Sequence, residues 1–346
     1  MNKFFIFSSC FIFLFVRLSA QNSSWAIDYS YFFDNTEFAG SSLTIPQTMS
    51  GMHVTPKLNV NFEPNHSLIT GIDVLMLAGA SKRFQEFMPV AYYQLKTKNQ
   101  KLLVGSFPRT ESISNYSDFL FQDSINYFRP NLHGIYWNIG NNKKFINLWL
   151  DWTGKQTETD KETFFSGISG YHEFTSGLFI DLQSYLFHFA KTKTSLPDEH
   201  VCDNLQAIFS AGYTTNKLAI DNQFQISVGI FAGYERERNV PDALYTPLGI
   251  VLQLDFERKF WGINSKLYTG EPRMRMYSKF SNNLYWGNPW LQSDFYLENK
   301  LYIKIINNKY VQGKIAYQLH VSENKVFHEQ VFTLNASIDK LLFSSK

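Results

Sequence analysis

Three kinds of residue could do chemistry here: eight histidines, one cysteine outside the leader, and a scatter of carboxylates and cations. The histidines are His53, His66, His133, His172, His188, His200, His320 and His328. An acyl-transfer site needs a nucleophile, a base and an orienting group that converge in space. None of the eight sits in a motif that declares such a set. Gly167-Ile168-Ser169-Gly170 is not the Gly-x-Ser-x-Gly elbow of hydrolases. Glu199-His200-Val201-Cys202-Asp203 holds metal-ligating residue types, but a loop histidine beside one cysteine is ordinarily incidental. His188 faces lipid or an interfacial aromatic belt, where a histidine is usually structural. Asp151-Trp152-Thr153-Gly154-Lys155-Gln156 is a polar cluster consistent with a rim or a ligand site. No Gly-rich phosphate loop appears. The expectation is a protein without catalytic residues, cofactor or bound metal.

The charged residues suggest a second chemistry, the passage of hydrophilic solutes. Between Pro108 and Pro130 lie Arg109, Glu111, Asp118, Asp123 and Arg129, around the apolar run Phe119-Leu120-Phe121. Such a run is costly in water. A loop of this length folded inward would bring its charges to a constriction. Arg273, Arg275, Arg236 and Arg238 either form a cationic outer mouth or pair with Glu235, Glu237 and Glu271 as ordinary loop arginines. Trp286, Trp290, Tyr277 and Tyr285 are either a sugar-stacking set or girdle residues.

The elements that must carry these residues follow from a period of two. Phe295, Leu297, Asn299, Leu301, Ile303 and Ile305 alternate with Asp294, Tyr296, Glu298, Lys300, Tyr302 and Lys304. That is a strand with one oily and one wet face. After the Asn307-Asn308-Lys309 turn, the pattern repeats from Val311 to Val321 and again from Phe332 to Ile338. These strands run ten residues or more, while a tilted strand needs about 9–11 to cross a bilayer. Sixteen strand segments are expected, the first at 25–34, the last three at 290–306, 310–321 and 326–339. Connections alternate in length. Glu63-Pro64-Asn65, Lys98-Asn99-Gln100, Asn141-Asn142 and Asn216-Lys217 are short turns, whereas 35–47, 108–130, 190–202 and 270–289 are long. Short turns on one rim and long loops on the other belong to a membrane barrel.

Composition agrees. Hydrophobic residues make up 44% and aromatics 17% of 346 residues, with no apolar run of helical-span length after the N-terminus. Mean hydropathy is −0.22, as expected when lipid-facing and water-facing positions average out. Residues 1–20 read as a cleaved export signal: Lys3, the apolar run Phe4–Val16, then Leu18-Ser19-Ala20. Without Lys3 and Arg17 the chain carries 30 basic and 30 acidic residues, so no bulk field attracts nucleic acid. Cys202 would then be alone, which rules out an intramolecular disulfide. Residues 21–346 are expected to form a single domain.

With its signal, sorted loops and aromatic-bearing last strand (Phe332 to Phe343), the chain resembles the porin-like outer-membrane β-barrels of Gram-negative bacteria. Gly105-Ser106-Phe107-Pro108-Arg109 is similar to a Gly-x-Phe segment of some anion-selective porins. The resemblance implies an all-β, transmembrane, antiparallel up-and-down barrel in the outer membrane. About sixteen strands are expected, with fourteen left open. Sixteen strands about 4.8 Å apart and tilted about 40° give a radius near 16 Å, too wide for side chains to fill. Inward positions suit water: Asp73, Asp151, Asp181, Asp221, Asp255, Lys266, Glu298, Lys300, Lys304 and Lys314. The expected function is diffusion of small hydrophilic solutes through a lipid-embedded, non-enzymatic channel, narrowed by loop 108–130. A barrel serving an assembly, secretion or adhesion partner and a lipid-acting enzyme are the alternatives. A homo-oligomer stays open.

Overall fold

A computed structural model describes residues 22–194, 199–215 and 222–344. Alternating apolar and polar residues form one antiparallel sheet that closes on itself. Its sixteen long strands are β1 (Asn22–Glu37), β2 (Gln47–Glu63), β3 (His66–Leu77), β4 (Glu86–Lys96), β5 (Gln100–Pro108), β6 (Asn131–Asn141), β7 (Lys144–Gly154), β8 (Thr163–Glu173), β9 (Leu178–Phe189), β10 (Cys202–Thr215), β11 (Asn222–Glu237), β12 (Leu248–Arg258), β13 (Trp261–Gly270), β14 (Phe295–Asn307), β15 (Val311–Ser322) and β16 (Lys325–Ser344). Each pairs with its neighbours in chain order. β1 pairs with β16 from Asn22↔Ser344 to Glu37↔His328, so no edge is left open. A two-residue strand, Leu244–Tyr245, extends the sheet beside the end of β11.

The strand count is therefore sixteen. Several expected boundaries move, and the first strand spans Asn22–Glu37 rather than 25–34. The segment expected to start at residue 290 begins as a strand only at Phe295, because Pro289–Gln292 is a 3-10 turn capped by Asn288. The last strand runs on to Ser344 rather than stopping near 339. The export signal, the Asn216-Lys217 turn and Asp221 lie outside the described residues. No described helix is long and apolar enough to cross a membrane; the strands span it.

Exposed apolar side chains such as Ile230, Leu252, Leu301 and Ile315 face outward toward lipid. The inner face packs against two loops. Loop 109–130 carries α1 (Asp123–Phe128), and loop 271–294 carries α2 (Tyr277–Phe280). Their Phe119, Leu120, Phe121, Leu284, Tyr285, Trp286 and Trp290 are buried against inward wall residues such as Phe165, Phe187 and Tyr296. Each such side chain contributes about 1.5–3 kcal/mol when fully buried. The loops also bond to each other, Gln122 N–H to the Trp286 carbonyl at 2.9 Å and Asn288 N–H to the Phe119 carbonyl at 3.4 Å. Gly287 is needed at this seam, since a Cβ there would lie 2.7 Å from the Phe119 oxygen.

Candidate functional site

Loop 109–130 lies inside the barrel, and its charges are taken up by the wall. Arg109 donates to Asp151 at 2.5 Å and to the Arg129 carbonyl at 2.6 Å, between the rings of Phe121 and Trp286. Arg129 also stands over the Trp286 ring, 5.5 Å from its centroid. Asp118 pairs with Lys266, which also lies 3.5 Å from Glu298. Asp123 is 3.4 Å from Lys300, and Glu111 is 2.5 Å from Lys101. Four of the five loop charges are thus anchored to strand residues, Asp118 and Asp123 to lysines on the neighbouring strands β13 and β14, while Arg129 stands against the other inner loop. Asp73 accepts from His53 and Asp181 from Gln183. Asp255 accepts from Asn264, Lys304 pairs with Glu257, and Lys314 stands 5.3 Å from the Tyr302 ring. Below the loop is a cavity of about 1420 Å³ lined by Asp181, Asp255, Lys300 and Lys314, reaching the turn residues Asn142 and Lys309.

Several expectations for the long loops are corrected. Arg273 is buried and donates to Gln206 and to the Phe231 carbonyl, so it forms no outer mouth. Glu235 accepts from the amides of Met274 and Arg275 and from the Tyr285 hydroxyl, and Glu237 pairs with Lys279. Trp286, Trp290 and Tyr285 are neither girdle nor exposed stacking residues; they are the buried core of the inner loop. Strand alternation sends Cys202 into the barrel and Asp203 outward, so the Glu199–Asp203 run splits between two faces. Among the described residues no group of three or more His, Cys, Asp or Glu converges as a metal site.

Three histidines meet a carboxylate. His53 Nδ1 lies 2.8 Å from Asp73, and its Nε2 lies 2.8 Å from the Tyr127 carbonyl of α1. His320 Nε2 lies 2.8 Å from Glu329, and its Nδ1 lies 2.8 Å from the Tyr296 hydroxyl. Both are buried inside, with both nitrogens used. The third pair stands on the other side of the wall. On β9, Tyr185, Phe187 and Phe189 point inward, so His188 points outward, one residue from the strand's outer end. Its Nδ1 is 3.0 Å from Asp203 Oδ1, directly across on β10. Asp203 is clamped by Arg238, Nε at 2.6 Å and Nη2 at 3.0 Å. That hydrogen bond pushes the Arg238 guanidinium up from its ordinary value, which keeps it cationic. His188 Nε2 has no hydrogen bond among the described residues.

The register sets this pair in a row of outward side chains: Trp152 on β7, Phe164 on β8, His188, Asp203, then Arg236 on β11. Trp152 stacks on Phe164 at 5.2 Å, and Phe164 lies 5.0 Å from His188. The rings pack the imidazole on the outer face one residue from the strand's end, the level at which membrane barrels carry their aromatic girdles. Another outward histidine near this rim, His133, is exposed; its backbone amide donates to Asp151, and its ring meets no carboxylate among the described residues. Sequence reasoning passed over His188 because its partner is fixed by register across a long loop. The available signal was a histidine and an aspartate at positions whose alternation places them on the oily face.

Comparison with known proteins adds a family and a fold. A family profile described as "Lipid A 3'-O-deacylase-type" matches residues 17–344. No curated protein matches by sequence. Among solved structures, OmpTdeltaL8, a loop-deletion mutant of the Vibrio cholerae outer membrane protein OmpT, aligns with a TM-score of 0.57 at 9% identity, over 92% of this chain and 100% of its own. OprD from Pseudomonas aeruginosa aligns at 0.53 and 9% identity, over 93% and 96%. An anion-selective porin from Comamonas acidovorans aligns at 0.52 and 8%, over 91% and 98%. At these identities the likeness is one of fold, that of an outer-membrane barrel. The expectation of a non-enzyme is overturned by the family match, which spans nearly the whole chain and carries the name of an ester hydrolase.

Proposed function

Since the chain belongs to the lipid A 3'-O-deacylase-type family, we propose that it hydrolyses a 3'-O-acyl ester of a lipid A-type glycolipid, on its outer face at His188 and Asp203. The observation that carries this reading is the His188 geometry. It is an outward imidazole at headgroup level, held through Nδ1 by a carboxylate and open at Nε2. Asp203 orients the ring and favours the tautomer with the proton on Nδ1. Nε2 is then a base. No serine, threonine or cysteine hydrogen-bonds to it among the described residues, so water is the nucleophile. Nε2 takes a proton from water as the water oxygen adds to the ester carbonyl. The tetrahedral adduct collapses with cleavage of the bond to the sugar oxygen, which leaves with the proton from the imidazolium. The products are a fatty acid and a free sugar hydroxyl.

The test is acyl release from lipid A in mixed micelles by the refolded barrel, followed by mass spectrometry. Wild type should release a single fatty acid and His188→Asn none. An equal rate in the variant would sink the assignment.

A second reading keeps the barrel as a diffusion path for small hydrophilic solutes with loop 109–130 as its constriction. The large cavity beneath the loop, with Asp181, Asp255, Lys300 and Lys314 in its lining, favours it. Removing 112–126 should raise single-channel current in a planar bilayer; an unchanged current would refute the constriction.

A further inference from the structure

We propose that the wall holds a lateral slot between β4 and β5 that takes one acyl chain of a surrounding lipid, seated against an apolar pocket on the inner side. The slot is separate from the His188 pair, which stands several strands away on β9. Its first support is the way the β4–β5 ladder ends. This register is the shortest between the long strands, running only from Lys96↔Lys101 up to Ala91↔Ser106. Neither strand stops there. β4 continues to Glu86 against β3, and β5 continues to Pro108 against β6. Carried on by two residues, the lost register would set Pro89 opposite Pro108. Neither proline has an N–H to give the other. Side chains meet their carbonyls instead: the Ser106 hydroxyl donates to Pro89 at 2.6 Å, and that of Ser112 lies 3.4 Å from the Pro108 oxygen. Hydrocarbon does not tolerate a strand edge with unpaired polar groups. Here two donors are missing and their partner carbonyls are capped, so the break can stand in lipid. Past Pro108 the chain turns into the barrel as loop 109–130, and no described strand covers the outer end of β4 on that side.

The second support is what borders the break. On the lipid side Phe87 is exposed and packs on Phe84, ring centroids 5.7 Å apart. On the inner side Met88 belongs to an apolar cluster distinct from the main core. Phe32, Leu75, Met88 and Tyr127 form it, with Met49, Leu77 and Phe128 packed against them. Phe128 closes α1, is half-buried, and stands 6.1 Å from the Phe32 ring. Apolar surface therefore continues from the lipid face to the inner wall where the ladder is broken. Met49 and Met88 give this surface an adaptable shape. The edge chemistry selects the occupant. A second copy adding a strand would need an unbroken row of donors and acceptors along β4, and Pro89 interrupts that row. A hydrocarbon chain needs none.

Photolabelling in vesicles tests this. The folded barrel is placed in phosphatidylcholine vesicles doped with a phosphatidylcholine that carries a diazirine in one acyl chain, and labelled residues are read by mass spectrometry. Label should appear on the inward Met88 and Phe128 as well as on the lipid-facing Phe87. It should be absent from Phe165 and Tyr185, inward residues behind the fully paired β8–β9 seam. Met88→Trp should fill the pocket and remove the label from Phe128 while Phe87 stays labelled. Phe128→Trp blocks the same pocket from the loop side and is read on Met88, which keeps the test open if the first variant does not fold. Label on Phe87 without label on Met88 and Phe128 would overturn the proposal, as would equal label on Phe165. Crosslinks between two barrels through 86–90 in place of lipid label would reassign the edge to a second copy and overturn it as well. Acyl release from lipid A should be the same in Met88→Trp as in wild type. A wild-type barrel that takes the label but releases no fatty acid would overturn the hydrolytic reading and leave the slot standing.

Discussion

The inner and outer faces of this wall use the same residue pair to opposite ends. Inside, His53 and His320 each meet a carboxylate through one nitrogen and a second protein group through the other. They are closed, and one of them ties α1 to β2. Outside, His188 meets Asp203 in the same way but keeps Nε2 open toward the headgroup layer. A histidine bonded at both nitrogens is a fastening; His188, bonded at Nδ1 to a carboxylate and beside the lipid-facing surface, is the one we propose as a base. The difference comes from which face the two-residue alternation assigns and what that face can reach.

The largest expected break of this contrast is His188→Ala. Loss of a general base should lower acyl release by roughly 10²–10⁴-fold. His53→Ala and His320→Ala should leave the rate per folded molecule within about twofold, measured on the same micellar lipid. A collapse of activity in the inner variants with His188→Ala intact would reverse the comparison. Next comes Lys266→Met, which leaves Asp118 and Glu298 facing each other without their shared cation. It should lower the unfolding free energy by about 3–5 kcal/mol in urea titrations while activity per folded barrel is retained. Arg238→Ala, which leaves His188 and Asp203 in place but removes the clamp on Asp203, should slow acyl release by about tenfold. A rate equal to wild type would show that the clamp is dispensable.

The smallest effect concerns the outer loops. Burial pushes the Glu323 carboxyl up, but the Ser42 and Ser41 hydroxyls and the Ser42 amide outweigh it and hold the group below its ordinary value. A lowered folded value means that this tie is fully present above the ordinary glutamate value, about 4.3, and is lost as pH falls through the folded value. Protease cleavage within 38–46 should therefore rise at acid pH, and Glu323→Gln should show the same cleavage at neutral pH. Cleavage insensitive to both changes would remove Glu323 from the account.

Much of the barrel was legible because period-two alternation is a local property. Phe295, Leu297, Leu301 and Ile303 face lipid and Tyr296, Glu298 and Lys300 face inward, as their order along the chain dictates. The sorting of short and long connections placed the two rims. Trp290 was misread as part of a strand because aromatic content alone does not separate a girdle from a buried loop; Pro289 and the Asn288 cap were the local sign of a turn. The His188–Asp203 pair was not legible in that way. His188 and Asp203 are brought together by the register of β9 and β10. No spacing motif encodes a contact made through strand pairing, and the histidine's open nitrogen is a fact about its surroundings.

One further consequence follows from the two inner loops being locked to each other and to strands on opposite sides, Asp151 on β7, Gln183 on β9, Lys266 on β13 and His53 on β2. A hollow cylinder this wide flattens readily under sideways load, as a rim does without spokes. Here the loops are the spokes, joined at a hub made by Phe119, Trp286 and Gly287. Lateral pressure from the surrounding lipid is carried across the diameter instead of bending the wall, so the spacing between neighbouring outward side chains stays constant while the membrane around them fluctuates.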